Sequence, residues 1–405
     1  MQGERRDDAS DAGGGPVSEN WRGLTRYEPL DFHSEWVNAT NKNELWTANA
    51  PVVAKGRDVV YVETPNEHRI GMLIGRQVGF PTMGSNLCKV EIPVGKHTGR
   101  QQHGEEAIHV LEGSGFLVVD GRRYNFHAGT TIHVPFMSEH QLFNTGNETV
   151  VYVSATAMDL DLFVMLGRFI QHEDKGDNEP GFEAKFPAED TQSDTLGRRI
   201  ALHLEDAPDE EQLRQQRRDK DKADGKGGDG HGHGHGHGHE EKTPDDGEIL
   251  RDRGNDGGAS EYVARRRNAN INENAHRHGA IYVLMGGGES KSDIRNDFTA
   301  VSVAMTNIFE EIPHTSSHCH THTEAVLYVL EGVGFSEIDF AHFDWEAGDA
   351  VHVPPRMTRH EHFNPSDGRT RTLRIEYGIR YYYEPLWRGF EKVEHRANAQ
   401  AIPQD

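Results

Sequence analysis

Cysteine is nearly absent: Cys88 and Cys319 are the only two in 405 residues. A disulfide framework is excluded, as two thiols cannot staple a chain of this length. No apolar run reaches the ~18 residues that would cross a bilayer as a helix. The opening stretch "MQGERRDDASDAGGG" has no apolar core of the signal-peptide kind, so no secretory leader is expected. Apolar residues are scarce, at 34%, so part of the chain is expected to stay outside any core. Positive charge is in deficit: 43 Lys and Arg against 66 Asp and Glu give a formal net charge of -23. Such a surface repels nucleic acid and anionic lipid, and neither is expected as a partner. The expectation is a soluble, cytoplasmic protein with no membrane association.

What is present falls into segments. Residues 1–40 read as a polar N-terminal extension, although Trp21, Tyr27, Phe32 and Trp36 give it aromatic content too high for a free tail. That content suggests a segment crossing to a neighbour in a homo-oligomer. Residues 191–260 contain "DEEQLRQQRRDKDKADGKGGDGHGHGHGHGHEEKTPDDGE", a charged, glycine-repeating stretch that reads as a disordered linker. It separates a first domain, 41–190, from a second, 261–405. The two are related in sequence: "EEAIHVLEGSGFLVVDGRRYNFHAGTTIHVPFMSEHQLFN" in one and "TEAVLYVLEGVGFSEIDFAHFDWEAGDAVHVPPRMTRHEHFN" in the other. Short alternating runs with Gly and Pro between them, and the Asp120-Gly121 turn, predict an all-β sandwich or barrel in each half. The segments "LDLFVMLGRFIQHED" and "RYYYEPLWRGFEKVEH" that follow suggest short flanking helices.

The densest chemistry lies in "IPHTSSHCHTHTEAVLYVLEGVGF", where His314, His318, His320, His322 and Glu324 share one parity. On a β-strand, residues two apart share a face, so this alternation aims several ligands one way. Cys319 has the opposite parity and reads as a small buried filler rather than a thiolate ligand.

Two motifs recur in order in both halves. Gly129, Pro135, His140 and Asn144 in the first have the spacing of Gly348, Pro354, His360 and Asn364 in the second. With the His-x-His-x-x-x-Glu of the second half, the chain resembles a two-domain cupin (a bicupin). The resemblance implies two double-stranded β-helix, or jelly-roll, barrels. It implies a divalent metal on His318, His320, Glu324 and His360, most simply Fe(II), with Mn(II), Ni(II) and Zn(II) as other candidates. Glu324 lies one residue further from Gly332 than the pattern asks, so His320 and His322 remain an alternative pair.

In the first half, aligning Glu106 with Glu324 leaves His103, Glu106 and His140 as ligands of a second or degenerate site. Gln102 stands beside them, and Gln101, His97 and His109 are possible helpers. The alternating His231, His233, His235, His237 and His239 read as a flexible linker that binds metal opportunistically. Among bicupins with one well-formed site the chain resembles gentisate-type dioxygenases, implying O2 and a small carboxylate-bearing substrate. Arg374 and Arg380 share parity and are the candidate clamp for that carboxylate. The alternatives are a Mn-dependent oxalate-decarboxylase-like enzyme, a cupin isomerase and a non-catalytic small-molecule-binding bicupin.

Overall fold

The computed structural model describes residues 32–188, 191–209, 212, 215, 219, 280–286, 303–317, 320–322, 324–355 and 358–377. Of the sequence expectations, the His-Gly tract, His318, Cys319 and Arg380 lie outside these residues, as do the side chains of His320 and His322.

A helix, Phe32–Asn49, precedes the barrels and forms a unit of its own. Phe32 and Trp36, one turn apart, meet with ring centroids 5.1 Å apart, and both are exposed. The aromatic N-terminal stretch is therefore partly helical.

Each half then folds as two antiparallel sheets facing one another. In the first, strands Thr131–Val134, Glu106–Glu112, Val150–Thr156, Asn86–Ile92 and Arg69–Ile74 lie side by side. The opposing sheet is built on His140–Asn144, which pairs with Ser114–Val119, Arg100–Gln102 and Lys96–His97. The second half repeats this with Ala350–Val353, Ala325–Glu331, Thr370–Tyr377 and Val303–Glu311 in one sheet. Thr358–Asn364 is the organising strand of the other. The hairpin expected at Asp120-Gly121 is formed, both residues adopting positive φ between Ser114–Val119 and Arg122–His127.

The apolar alternation divides each large sheet into two faces. Ile108 and Val110 turn inward with Val90, Leu117, Ile132 and Tyr152 to fill the first barrel. Ala325, Leu327 and Val329 do the same in the second, with Ile338, Trp345 and Val351. The residues between them face outward. Ala107 and Val153 of one sheet and Val326, Tyr328, Leu373 and Ile375 of the other belong to one shared cluster. The barrels are thus joined back to back through a buried apolar layer, which makes them one body.

The connections reinforce that union. Val53–Ala54, ahead of the first barrel in sequence, pairs with Ala350–Val353 of the second. Lys55 and the Gly56 amide then bind the Asp349 carboxylate at 2.8 and 2.9 Å. Ala201–Leu202, from the expected linker, occupies the matching edge of the first barrel. The linker boundary thus falls later than the composition shift suggests. Of the expected flanking helices, one short helix, Met158–Phe163, forms, and Ile170–Glu173 adds a strand beside Arg100–Gln102. The segment after Tyr377 lies outside the described residues.

Candidate metal centre

His103, Glu106 and His140 converge inside the first barrel, their ligating atoms all within 4.8 Å of one another. His103 Nε2 is 3.6 Å and His140 Nε2 3.7 Å from Glu106 Oε2. All three are buried. Each comes from a different part of the scaffold. Glu106 opens the strand whose next inward residues are Ile108 and Val110, and His140 opens a strand of the facing sheet. His103 sits on the short loop between Arg100–Gln102 and Glu106–Glu112. Gly104 lets that loop close: a Cβ there would lie 2.0 Å from Asp161 Oδ2.

The outer atoms are held so that the inner ones point at a common centre. His103 Nδ1 bonds the Gly104 carbonyl at 2.8 Å and His140 Nδ1 bonds the Ser138 carbonyl at 3.0 Å. A carbonyl only accepts, so each Nδ1 carries the proton and each Nε2 offers a lone pair. Ser154 Oγ donates to the other oxygen of Glu106. Burial, with His103 adding to it and the Ser138 bond opposing, pushes His140 down to about 3. Its ring is neutral at ordinary pH, as a ligand must be.

Two buried atoms here have no hydrogen-bond partner: His140 Nε2 and Gln101 Oε1. Gln101 stands directly across the strand pair from His140, and an unpartnered buried lone pair is costly unless something fills the gap. Two imidazole nitrogens, a carboxylate and an amide oxygen suit a divalent transition metal, and two His with one carboxylate is the facial set of non-haem Fe(II) sites. The residues present fit such an ion.

Gln102, proposed from sequence for this site, is not part of it. It has the opposite parity and bonds the Met137 carbonyl at 3.0 Å and His172 Nε2 at 2.8 Å. His97 and His109 are also engaged elsewhere, with the Thr98 carbonyl and the Thr131 hydroxyl.

The second barrel differs from the sequence expectation at Glu324. Its carboxylate accepts from the Ser85 hydroxyl at 2.8 Å and the Met83 amide at 2.9 Å, and meets His352 Nε2 at 2.8 Å. It shares the face of Val326 and Tyr328, which turn toward the first barrel. Glu324 therefore does not join His360 on the inner face. Its counterpart is Glu105, which meets His133 Nε2 at 3.0 Å in the same way. The place of Glu106 is taken by Ala325: each pairs with the last valine of its neighbouring strand, Val134 and Val353.

The register also sets the histidines. His320 pairs with His360 as Gln101 pairs with His140, and His322 takes the position two residues on, as His103 does. The spare candidate His314 is on the surface, 3.0 Å from Asp367. Arg374 and Glu376 lie opposite the inward Leu327 and Ala325 and form an ion pair at 2.6 Å. Arg374 is thus engaged with an acid of its own barrel.

A cavity of about 390 Å³ reaches His103, Glu106 and Gln101 of this site. Ile70, Met72 and Val90 line it, and Phe169 stacks 5.6 Å from the His103 ring. Glu67, not singled out from the sequence, is also in its wall. The polar run Thr64–Glu67 carries no strand period or motif that would have marked it.

The cupin domain family matches residues 88–156 and again 308–376. Each match falls within one barrel, and the chain is a two-domain cupin. An uncharacterised protein of Methanocaldococcus jannaschii is 33% identical over 64 residues, 15% of this chain and 51% of that protein. The chain thus spans about half the length of this curated relative. Among solved structures, oxalate decarboxylase from Bacillus subtilis at pH 4.6 is similar at 11% identity, covering 80% of this chain and 76% of that one with a TM-score of 0.49. A variant of the same enzyme gives a TM-score of 0.49 with 77% of its chain covered.

Proposed function

We propose that this bicupin is a metal-dependent enzyme whose centre is the first barrel, and that it is an Fe(II) dioxygenase acting on a small organic substrate. The observation that carries the reading is the convergence of His103 Nε2, His140 Nε2 and Glu106 Oε2 with their outer nitrogens already bonded to carbonyls. His103, Glu106 and His140 would hold the ion, and a bound Fe(II) would supply Lewis-acid and redox chemistry toward substrate and O2. The protein supplies the rest. Two strands and the loop that carries His103 fix three ligands at separations that do not have to be created on binding. Ser154 orients the carboxylate, Gln101 offers a fourth ligand through its amide oxygen, and Phe169 with the apolar wall limits the entry of water. The carboxylate clamp expected from Arg374 does not belong to this cavity.

The test uses protein lacking His231–His239, so that the tract contributes no metal. Elemental analysis should find iron at about one per chain, lost in His140→Ala. Oxygen consumption should follow on offering small cyclic hydroxy compounds to the iron-loaded protein. Manganese as the bound metal, with carbon dioxide released from oxalate and no oxygen uptake, would instead select the decarboxylase reading.

A further inference from the structure

The first-barrel cavity has a charge pattern that restricts its ligand. Its lining contains three carboxyl groups, Glu67, Glu106 and Asp159, and neither lysine nor arginine. Asp159 is already bonded by Gln77 at 2.9 Å and Asn86 at 3.2 Å. A divalent metal on Glu106, two neutral imidazoles and a neutral amide leaves one net positive charge. A ligand with a single ionised oxygen balances it. A dicarboxylate leaves one surplus negative charge against a lining that offers no lysine or arginine to receive it, which is costly where solvent is partly excluded.

Glu67 sits in this wall, buried, with Oε1 accepting from Asn66 Nδ2 at 2.9 Å and the Tyr152 hydroxyl, also in the wall, hydrogen-bonded to the carboxyl group. Its loop is fixed: the Glu67 amide donates to Thr64 Oγ1 at 2.8 Å, and the Asn66 carbonyl accepts from the Gly99 amide at 2.8 Å. Gly99 is needed there, since a Cβ would come within 2.3 Å of Asn66 Oδ1. Burial first, and the negative Glu106 second, raise the Glu67 carboxyl well above the usual carboxylate range. In its neutral form the group is a hydrogen-bond donor, the role a buried carboxylic acid fills when it faces a developing oxyanion.

We propose that the first-barrel metal takes a small, largely apolar ligand that chelates through one ionised hydroxyl and one neutral oxygen, and that Glu67 donates a hydrogen bond to it. This rests on the metal-centre reading above and narrows its substrate class from carboxylates to hydroxy-carbonyl or vicinal dihydroxy compounds.

Binding to the Co(II)-loaded full chain tests this without turnover, by visible absorption and calorimetry. Tropolone, a ring with adjacent hydroxyl and carbonyl, is the matched probe, and oxalate is the dianionic control of similar bite. Tropolone should bind at least about tenfold more tightly than oxalate after correction for each probe's affinity for free Co(II). Glu67→Ala should weaken tropolone by about tenfold, the scale of a lost hydrogen bond to a charged oxygen. Glu67→Gln, which keeps an N–H donor, should stay within about threefold of wild type. Equal corrected affinities for the two probes, or tropolone binding unchanged in Glu67→Ala, would overturn the inference while leaving the metal centre standing. Failure of the wild-type chain to take up Co(II), or uptake unaltered by His140→Ala, would overturn the metal-centre reading and this inference with it.

Discussion

Glu324 Oε1 lies 2.8 Å from His352 Nε2, both side chains fully buried, on the face of the second barrel that turns toward the first. The carboxylate also receives Ser85 and Met83 from the other barrel. It is a cross-barrel tie and not a ligand of the second barrel's interior. Glu324→Ala should therefore cost on the order of 3–5 kcal/mol of stability, because it strands a buried imidazole, hydroxyl and amide at once. Denaturant unfolding checks the cost. Metal content per folded chain should be unchanged, and its loss in a folded variant would place Glu324 at a metal after all.

The position of Glu324 shows what the sequence could and could not convey. The two-barrel architecture was legible because its signals are periodic and repeated: alternating apolar residues, Val-Leu-Glu-Gly, and the Gly…Pro…His…Asn series twice over. Which of two adjacent residues faces inward was not. Glu105 and Glu106 are consecutive, and a shift of one along a strand exchanges the faces completely. The extra residue between Glu324 and Gly332 was the available clue, since Glu106 to Gly113 keeps the expected spacing and Ala325 to Gly332 matches it. Glu67 left no such trace. Its place in the cavity arises from a loop folded against Gly99, a contact that no local pattern encodes.

His140 and His360 are equivalent by strand register, and Glu106, beside His140, has Ala325 as its counterpart in the second barrel. His140→Ala should remove the triad's metal or weaken it by orders of magnitude, while His360→Ala leaves that metal in place. Elemental analysis after dialysis reads both. The opposite outcome, metal retained by His140→Ala and lost from His360→Ala, would move the centre to the second barrel.

Ser154 touches the triad only through Glu106, donating to the carboxylate oxygen turned away from the histidines. Ser154→Ala frees that carboxylate to rotate and to hydrogen-bond elsewhere. Groups that orient a ligand typically contribute about 10–100-fold in metal affinity. Competition against a chelator should show a loss of that size, with the thermal midpoint of the metal-free protein close to wild type. An affinity equal to wild type would mean that the strand alone fixes Glu106.

His109 provides a test of pH dependence away from the ligands. Burial pushes it down to about 4, and its ring is held neutral beside the Thr131 hydroxyl at 3.0 Å. The folded value lies below the unfolded one, so between about 6.5 and 4 the unfolded chain binds the extra proton. Stability from this group is therefore complete above about pH 6.5 and declines as pH falls toward 4. By pH 5 the decline should be about 2 kcal/mol. Other buried groups titrate in the same range, Glu67 in the opposite sense, so the measurement is the difference between wild type and His109→Gln at pH 8 and at pH 5. Glutamine cannot take up the proton. The wild-type chain should lose about 2 kcal/mol more than the variant on acidification. Parallel losses in the two proteins would mean that His109 is already protonated in the folded state, or reaches solvent without unfolding.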